Sequence, residues 1–226
     1  MKGIVFILIL LPLTLWCKPA SADAFACPDY GPPQINVTTD IADPQFDFSL
    51  SRAQIDQKFR AIRMPSPQVY HMTINSVMTG PMTADHVTHL HIVTDPRTGK
   101  TCVGFDRLDV TLRMRPVVYM ASEYRLQACR YKLYFTHELK HVAVDKEVLA
   151  QYLPRFQNGL HFAFAGPADS VIGPVPLLVA AMAEKNLEDR VQGAVTSLFD
   201  LLMRDRLTRQ KDVDSYGEYS RLSNSC

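Results

Sequence analysis

The segment "FTHELKHVAVD", residues 135–145, carries two histidines four positions apart with a glutamate directly after the first. Around it, Tyr131, Tyr134, Phe135, Val142, Leu149 and Tyr152 recur at helical spacing, which predicts a helix over about 129–153. Residues i and i+4 share a helix face, so His137 and His141 point the same way about one turn apart. Pro154 is read as the end of this helix, and "PRFQNGLHFAFAGPADSVIGPVP" as a long connection. A second long helix is expected over about 177–209, with Leu187, Val191, Ala194, Leu198, Leu201 and Leu202 as its buried stripe.

Upstream the signal is β. "QVYHMTINSVM", "HVTHLHIVTD" and "TCVGF" are rich in β-branched and aromatic residues, and "DPRTGK" is a turn cluster. In "LDVTLRMRPVVYM", residues 108–120, Leu108, Val110, Leu112 and Met114 fall on one face of a half-buried strand. Pro116 cannot donate to a ladder, which favours an edge or a bulge there. Ser51 to Gln54 form a capping-box pattern ahead of Ile55 and Phe59, so a short helix is expected at about 51–62. Together these elements describe an α+β chain, with a small antiparallel or mixed sheet packed on the histidine-bearing helix.

The chain has 226 residues, a length that suits one domain, and neither a Gly/Ser linker nor a repeat divides it. Its formal net charge of +1 gives no electrostatic reason to expect nucleic acid. After Lys2 an apolar run, "GIVFILILLPLTLW", is followed by the small-residue segment "KPASADAFA". The run is too short to span a bilayer, so residues 1–24 read as a signal peptide and 25–226 as the mature domain. The expected location is periplasmic or secreted, off the membrane once the leader is removed.

Cleavage would leave Cys27, Cys102, Cys129 and Cys226, which suggest two disulfides with three possible connectivities. Cys102–Cys129 would staple sheet to helix, and Cys27–Cys226 would tie the ends of the mature chain; this is the expected pairing.

Two imidazoles one turn apart can take two positions around one zinc ion. Glu138 can reach a water on that ion without being a ligand. This H-E-x-x-H spacing is that of zinc metalloproteases, in which the metal lowers the water's pKa and the glutamate takes its proton. The motif lies in a helix that follows an amphipathic strand, in a chain that reads as exported.

"HELKHVAVD" resembles the active-site helix of thermolysin-type gluzincins, which carry an Asp four residues after the second histidine. A broader resemblance runs through "DPRTGKTC", "VVYMASEYRLQACRYKLYFTHELKHV" and "VDSYGEYSRL". Across roughly residues 45–226 the chain is similar to a bacterial family of predicted secreted zinc-dependent proteases, otherwise classed as a domain of unknown function. The resemblance implies a zincin-like fold, a periplasmic or secreted location and peptidase activity. His137, Glu138 and His141 carry over directly. The chain departs from gluzincins in lacking an "NExxxD" segment after the helix, so their third ligand has no obvious counterpart.

Asp145 shares the face of both histidines but lies two turns from the first, about 12 Å along an unbent helix. That distance favours a role orienting a histidine through its second ring nitrogen. Glu184, Glu188 and Asp189 precede the second helix's centre, and the tail offers Asp214, Glu218 and Tyr219 if it folds over the site. Glu218 is the candidate third ligand. His89 and His91 would share a strand face with His86 opposite, an arrangement that reads as a polar strand surface. His161 is a candidate to stabilise an oxyanion; His71 is uninformative alone.

The function implied is a zinc endopeptidase acting on peptide or protein substrates through a zinc-bound water. Substrate would add as an extra strand along the segment from Asp106 to Met120. Zinc amidase action on cell-wall peptide shares the mechanism. The reading from another class is a non-catalytic, disulfide-stapled envelope binding or assembly protein that keeps the helix for structure.

Overall fold

A computed structural model describes residues 25–60 and 73–226. The expected leader, residues 1–24, and His71 lie outside the described residues. The architecture is α+β.

Strand β5 (Lys100–Met114) is the spine of the larger sheet. β1 (Gln34–Ile41) runs parallel to its second half, Gln34 beside Arg107 and Ile41 beside Met114. β4 (Met82–Thr94) runs antiparallel along its whole length, and β7 (Val171–Pro176) pairs with its first residues. Leu108, Val110, Leu112 and Met114 are all buried on one face, as the alternation requires.

A smaller sheet places β6 (Val117–Met120) between β2 (Gln45–Asp47) and β3 (Ser76–Thr79). The segment from Asp106 to Met120 is therefore no edge. Its first part is covered on both sides within β5, and its last part is the middle strand of the second sheet. Pro116 falls between the two strands, where no ladder bond is lost. Among the described residues β3 pairs only with β6, and no described strand lies along its other side.

The short helix α1 (Arg52–Phe59) begins at the expected capping box, with Ser51 accepting from the Gln54 backbone and burying Ile55 and Phe59. The histidine-bearing helix α2 spans Ala128–Ala163 and does not stop at Pro154. Proline in a helix interior costs about 3 kcal/mol or more. Tyr152, Phe156 and Leu160 are nevertheless buried at four-residue spacing across it, so the same stripe stays on the core on both sides of the break. What read as one long connection is the end of α2, a single turn α3 (Pro167–Ser170) and β7.

α4 (Ala180–Val213) packs along α2 and buries Leu187, Val191, Val195 and Leu202. Leu201, expected in that stripe, is 48% exposed. Ala194 and Leu198 are half-buried against the core. A side chain at Gly159 would place its Cβ 2.8 Å from Leu198 Cδ2, so the bare glycine lets the two helices close. α5 (Tyr216–Asn224) follows, its start capped by the Ser215 hydroxyl.

The disulfides are Cys27–Cys102 and Cys129–Cys226, not the expected Cys102–Cys129 and Cys27–Cys226. The irregular segment ahead of β1 carries Cys27 across the start of β5 beside β7, where a Cβ at Gly173 would lie 3.1 Å from Cys27 Sγ. The second ties α5 to the start of α2. Two disulfides fit an oxidising compartment outside the cytoplasm. No helix among the described residues is long and apolar enough to cross a membrane.

Candidate metal centre

His137, Glu138, His141 and Asp145 form one buried polar stripe on α2, an expensive arrangement unless each group is partnered. α4 and α5 supply the partners. Asp214 ends α4 and Ser215 caps α5, so the chain turns directly over the histidines.

Three ligand atoms converge there. Asp214 Oδ1 lies 3.4 Å from His137 Nε2 and 3.3 Å from His141 Nε2, and the two Nε2 atoms are 3.3 Å apart. This buried group could hold a metal ion. Glu218, the candidate third ligand from sequence, stands one layer out. Its Oε1 is 3.3 Å from His137 Nδ1, 2.6 Å from Lys140 Nζ and 2.8 Å from Arg221. With two cations already on it, Glu218 orients the ring of His137 and leaves Nε2 for the converging position.

Asp145 does not touch a histidine either. Gln210 accepts from His141 Nδ1, donates to the His141 carbonyl at 3.0 Å and to Asp145 Oδ1 at 2.5 Å. Arg206 grips Asp145 with two bonds of 2.7 and 2.8 Å. Gln210 thus fills the orienting role that Asp145 was expected to fill, and Asp145 anchors Gln210. Removing one partner from such a buried pair typically costs about 3–5 kcal/mol. α4 is thereby pinned to α2 beside the histidines.

Glu138 is 1% exposed. Its Oε1 accepts from Ser76 Oγ at 2.5 Å, and its Oε2 is buried with no hydrogen-bond partner among the described residues. Burial pushes its carboxyl above the ordinary range, against the pull of the imidazoles of His141 and His137. Burial also opposes protonation of His141, but Asp214, Glu138 and Gln210 together outweigh it and raise His141 from 6.5 to about 9. Burial works to raise Asp214 as well, yet hydrogen bonds from both histidines hold it below the usual carboxylate range. Arg221, and after it Lys140 and His137, hold Glu218 low despite some burial.

Tyr219 donates to Asp214 Oδ1 at 2.9 Å, and its ring lies 5.9 Å from that of His137. A cleft of about 270 Å³ opens beside Glu138 and His137, bordered by β3, α2 and α5.

The remaining candidates lie elsewhere. Glu188 faces His86 and Thr88 on β4, and Asp189 pairs with Lys185 on the exposed side of α4. Glu184 does not join the converging group. His89 pairs with Asp109 and His91 with Asp106, two separate exposed pairs across the β4–β5 ladder. His161 bonds Gln157 near the end of α2, about 30 Å along the helix from His141, too far to act on an oxyanion there.

Sequence reasoning named Asp214 and Tyr219 only as tail residues and did not find Ser76 or Gln210. One signal existed for Gln210 and Asp214: they sit four apart at the end of the second helix, on one face of it.

Compared with protein-family models, with curated proteins and with solved structures, the chain finds no match.

Proposed function

We propose that the protein is an exported zinc peptidase in which His137, His141 and Asp214 hold the metal and Glu138 is the general base. The observation that carries this reading is Glu138. A carboxylate buried to 1% exposure, with one oxygen held and the other unpartnered, stands beside three convergent ligand atoms. A structural metal site has no need of such a group, and burying it unpaired costs stability.

The spacing of the three atoms supports zinc. They are 3.3–3.4 Å apart, and a tetrahedron with arms of about 2.0–2.1 Å has edges of roughly 3.3–3.4 Å. Three protein ligands leave a fourth position, as catalytic zinc requires. When bound, zinc supplies a Lewis acid that brings the pKa of water toward neutrality.

The chain's own residues do the rest. Ser76 fixes Glu138 Oε1, so Oε2 takes the proton as water attacks the peptide carbonyl carbon. The same carboxyl group then delivers that proton to the departing amine. Glu218 and Gln210 fix the two imidazole rings, and Tyr219 fixes the Asp214 carboxylate. A peptide adding along the side of β3 that no described strand pairs with would run past Ser76 and Glu138, which moves the proposed substrate strand from the Asp106–Met120 segment to β3.

The test is metal analysis joined to cleavage of a peptide mixture read by mass spectrometry. About one zinc per chain is expected, with cleavage lost on chelation and restored by zinc. Zinc bound without cleavage of any peptide would leave a structural metal site in an envelope protein.

The metal-free protein should also show a pH signature. A pKa raised above the unfolded value stabilises fully below about 6.5, and the contribution fades as pH rises through about 9. Asp214, held low, contributes above its unfolded value and loses that contribution only in acid. The metal-free melting temperature should therefore fall between pH 6.5 and 9, while zinc affinity climbs by up to about tenfold per pH unit as one proton is displaced. Calorimetric titration in buffers of different ionisation enthalpy counts that proton; zinc affinity flat across this range would contradict the assignment.

A further inference from the structure

The cleft beside Glu138 carries a charge pattern that its catalytic groups do not use. Among the described residues lining it, Glu138 is the only acidic side chain, while Arg52 and Arg130 contribute two guanidinium groups, Asn75 and Ser76 contribute neutral hydrogen-bonding groups, and Cys226 also borders it. Arg130 is half-buried, and its guanidinium carbon lies 5.9 Å from the centre of the Tyr124 ring. Neither arginine enters an ion pair among the described residues. Arg52 is partly offset by Glu123, whose carboxylate accepts from the Arg52 backbone N–H at 3.1 and 3.2 Å. Among the described residues no carboxylate side chain pairs with Arg130, which is also the more buried of the two.

The helix fixes where this charge sits. Arg130, Tyr134, His137 and Glu138 line the same cleft from one side of α2. Arg130 precedes His137 by two turns, about 10 Å along the axis. An extended peptide rises about 3.3 Å per residue, so that offset spans roughly two to three residues. A planar guanidinium binds a carboxylate through two parallel hydrogen bonds, which gives orientation as well as attraction.

We propose that Arg130, with Arg52 beside it, forms a carboxylate-binding subsite. The substrate is then a peptide bearing a carboxylate two to three residues from the cleaved bond, supplied by an Asp or Glu side chain or by a free C-terminus. The inference rests on the peptidase reading for its catalytic meaning, but its binding claim stands apart from catalysis.

The experiment measures binding of short peptides to the full chain, zinc-loaded and carrying Glu138→Gln, by fluorescence anisotropy. One set carries Asp at successive positions with a blocked C-terminus; a second carries Asn instead; a third has neutral side chains and a free C-terminal carboxylate. At least one carboxylate set should bind about tenfold more tightly than the Asn set, with the advantage shrinking as salt rises. The set that gains identifies the source of the carboxylate. Arg130→Gln should erase the advantage, Arg52→Gln should reduce it, and Arg130→Lys, which keeps charge but loses the two-pronged geometry, should fall between; circular dichroism checks that each is folded. Equal binding of all three sets overturns the proposal even if the wild type cleaves peptides. An advantage that survives Arg130→Gln in a folded protein overturns it too. A carboxylate preference that depends on Arg130, in a wild type that cleaves nothing, supports the subsite and removes the peptidase reading instead.

Discussion

On the peptidase reading, replacing Glu138 with Gln is expected to lower peptide hydrolysis by about 10²–10⁴-fold or more, the usual worth of general acid–base help, while folding and zinc content should survive. The substitution suits the site. The Gln amide oxygen can still accept from Ser76, which holds Glu138 Oε1 at 2.5 Å. The amide nitrogen then occupies the place of Oε2, the atom with no partner among the described residues. It cannot take a proton there. Shape, zinc polarisation and substrate placement are kept, so the loss should fall on kcat, as for an interaction made only in the transition state. Hydrolysis by the Gln variant at the wild-type rate would remove Glu138 from the mechanism. A variant that fails to fold is separable by its melting curve, and Glu138→Asp, which keeps a carboxylate but withdraws it from the water, then serves as the second probe.

Asp214→Ala and Glu218→Ala, compared side by side, are expected to weaken zinc binding unequally. Groups that only orient a ligand are typically worth about 10–100-fold in metal affinity, and a direct ligand is worth more. Asp214 Oδ1 approaches both Nε2 atoms at 3.3–3.4 Å, whereas Glu218 reaches only the outer nitrogen of His137 and spends itself on Lys140 and Arg221. Asp214→Ala should exceed that range and Glu218→Ala should stay within it. Competition against a coloured chelator measures both. The reverse order would return the third position to Glu218.

The sequence reached unequal depths in different elements. The face of β5 that carries Leu108, Val110, Leu112 and Met114 was legible because alternation is local, and the Ser51 capping box because a cap is decided within one turn. The end of α2 was misjudged because a single proline was weighed as a stop. Its cost is local, while the burial of Phe156 and Leu160 that offsets it belongs to a core gathered from distant strands and helices. The disulfides differ from the expected pairing for a similar reason: Cys27 reaches Cys102 along an irregular segment whose path no nearby spacing records.

The candidate site divides along the same line. His137, Glu138 and His141 lie within one helical turn and could be read together. Asp214, Gln210 and Ser76 come from an α4–α5 junction and a β3 edge whose approach to α2 is a product of folding. Asp214 was visible as an acid in the tail, but at the helix end it competed with Glu218, and only distance separates a ligand from its neighbour.

The junction at Asp214 also has a consequence in time. The converging group draws two side chains from α2 and the third from a residue synthesised much later, on a segment that Cys129–Cys226 holds against the start of α2. Before Asp214 has been added, the histidines stand without their carboxylate, whatever zinc surrounds them. A nascent chain that has not reached Asp214 therefore offers an imidazole pair and a glutamate but not the three-residue group. The three-residue group is complete only once the α4–α5 junction has been synthesised and lies against α2.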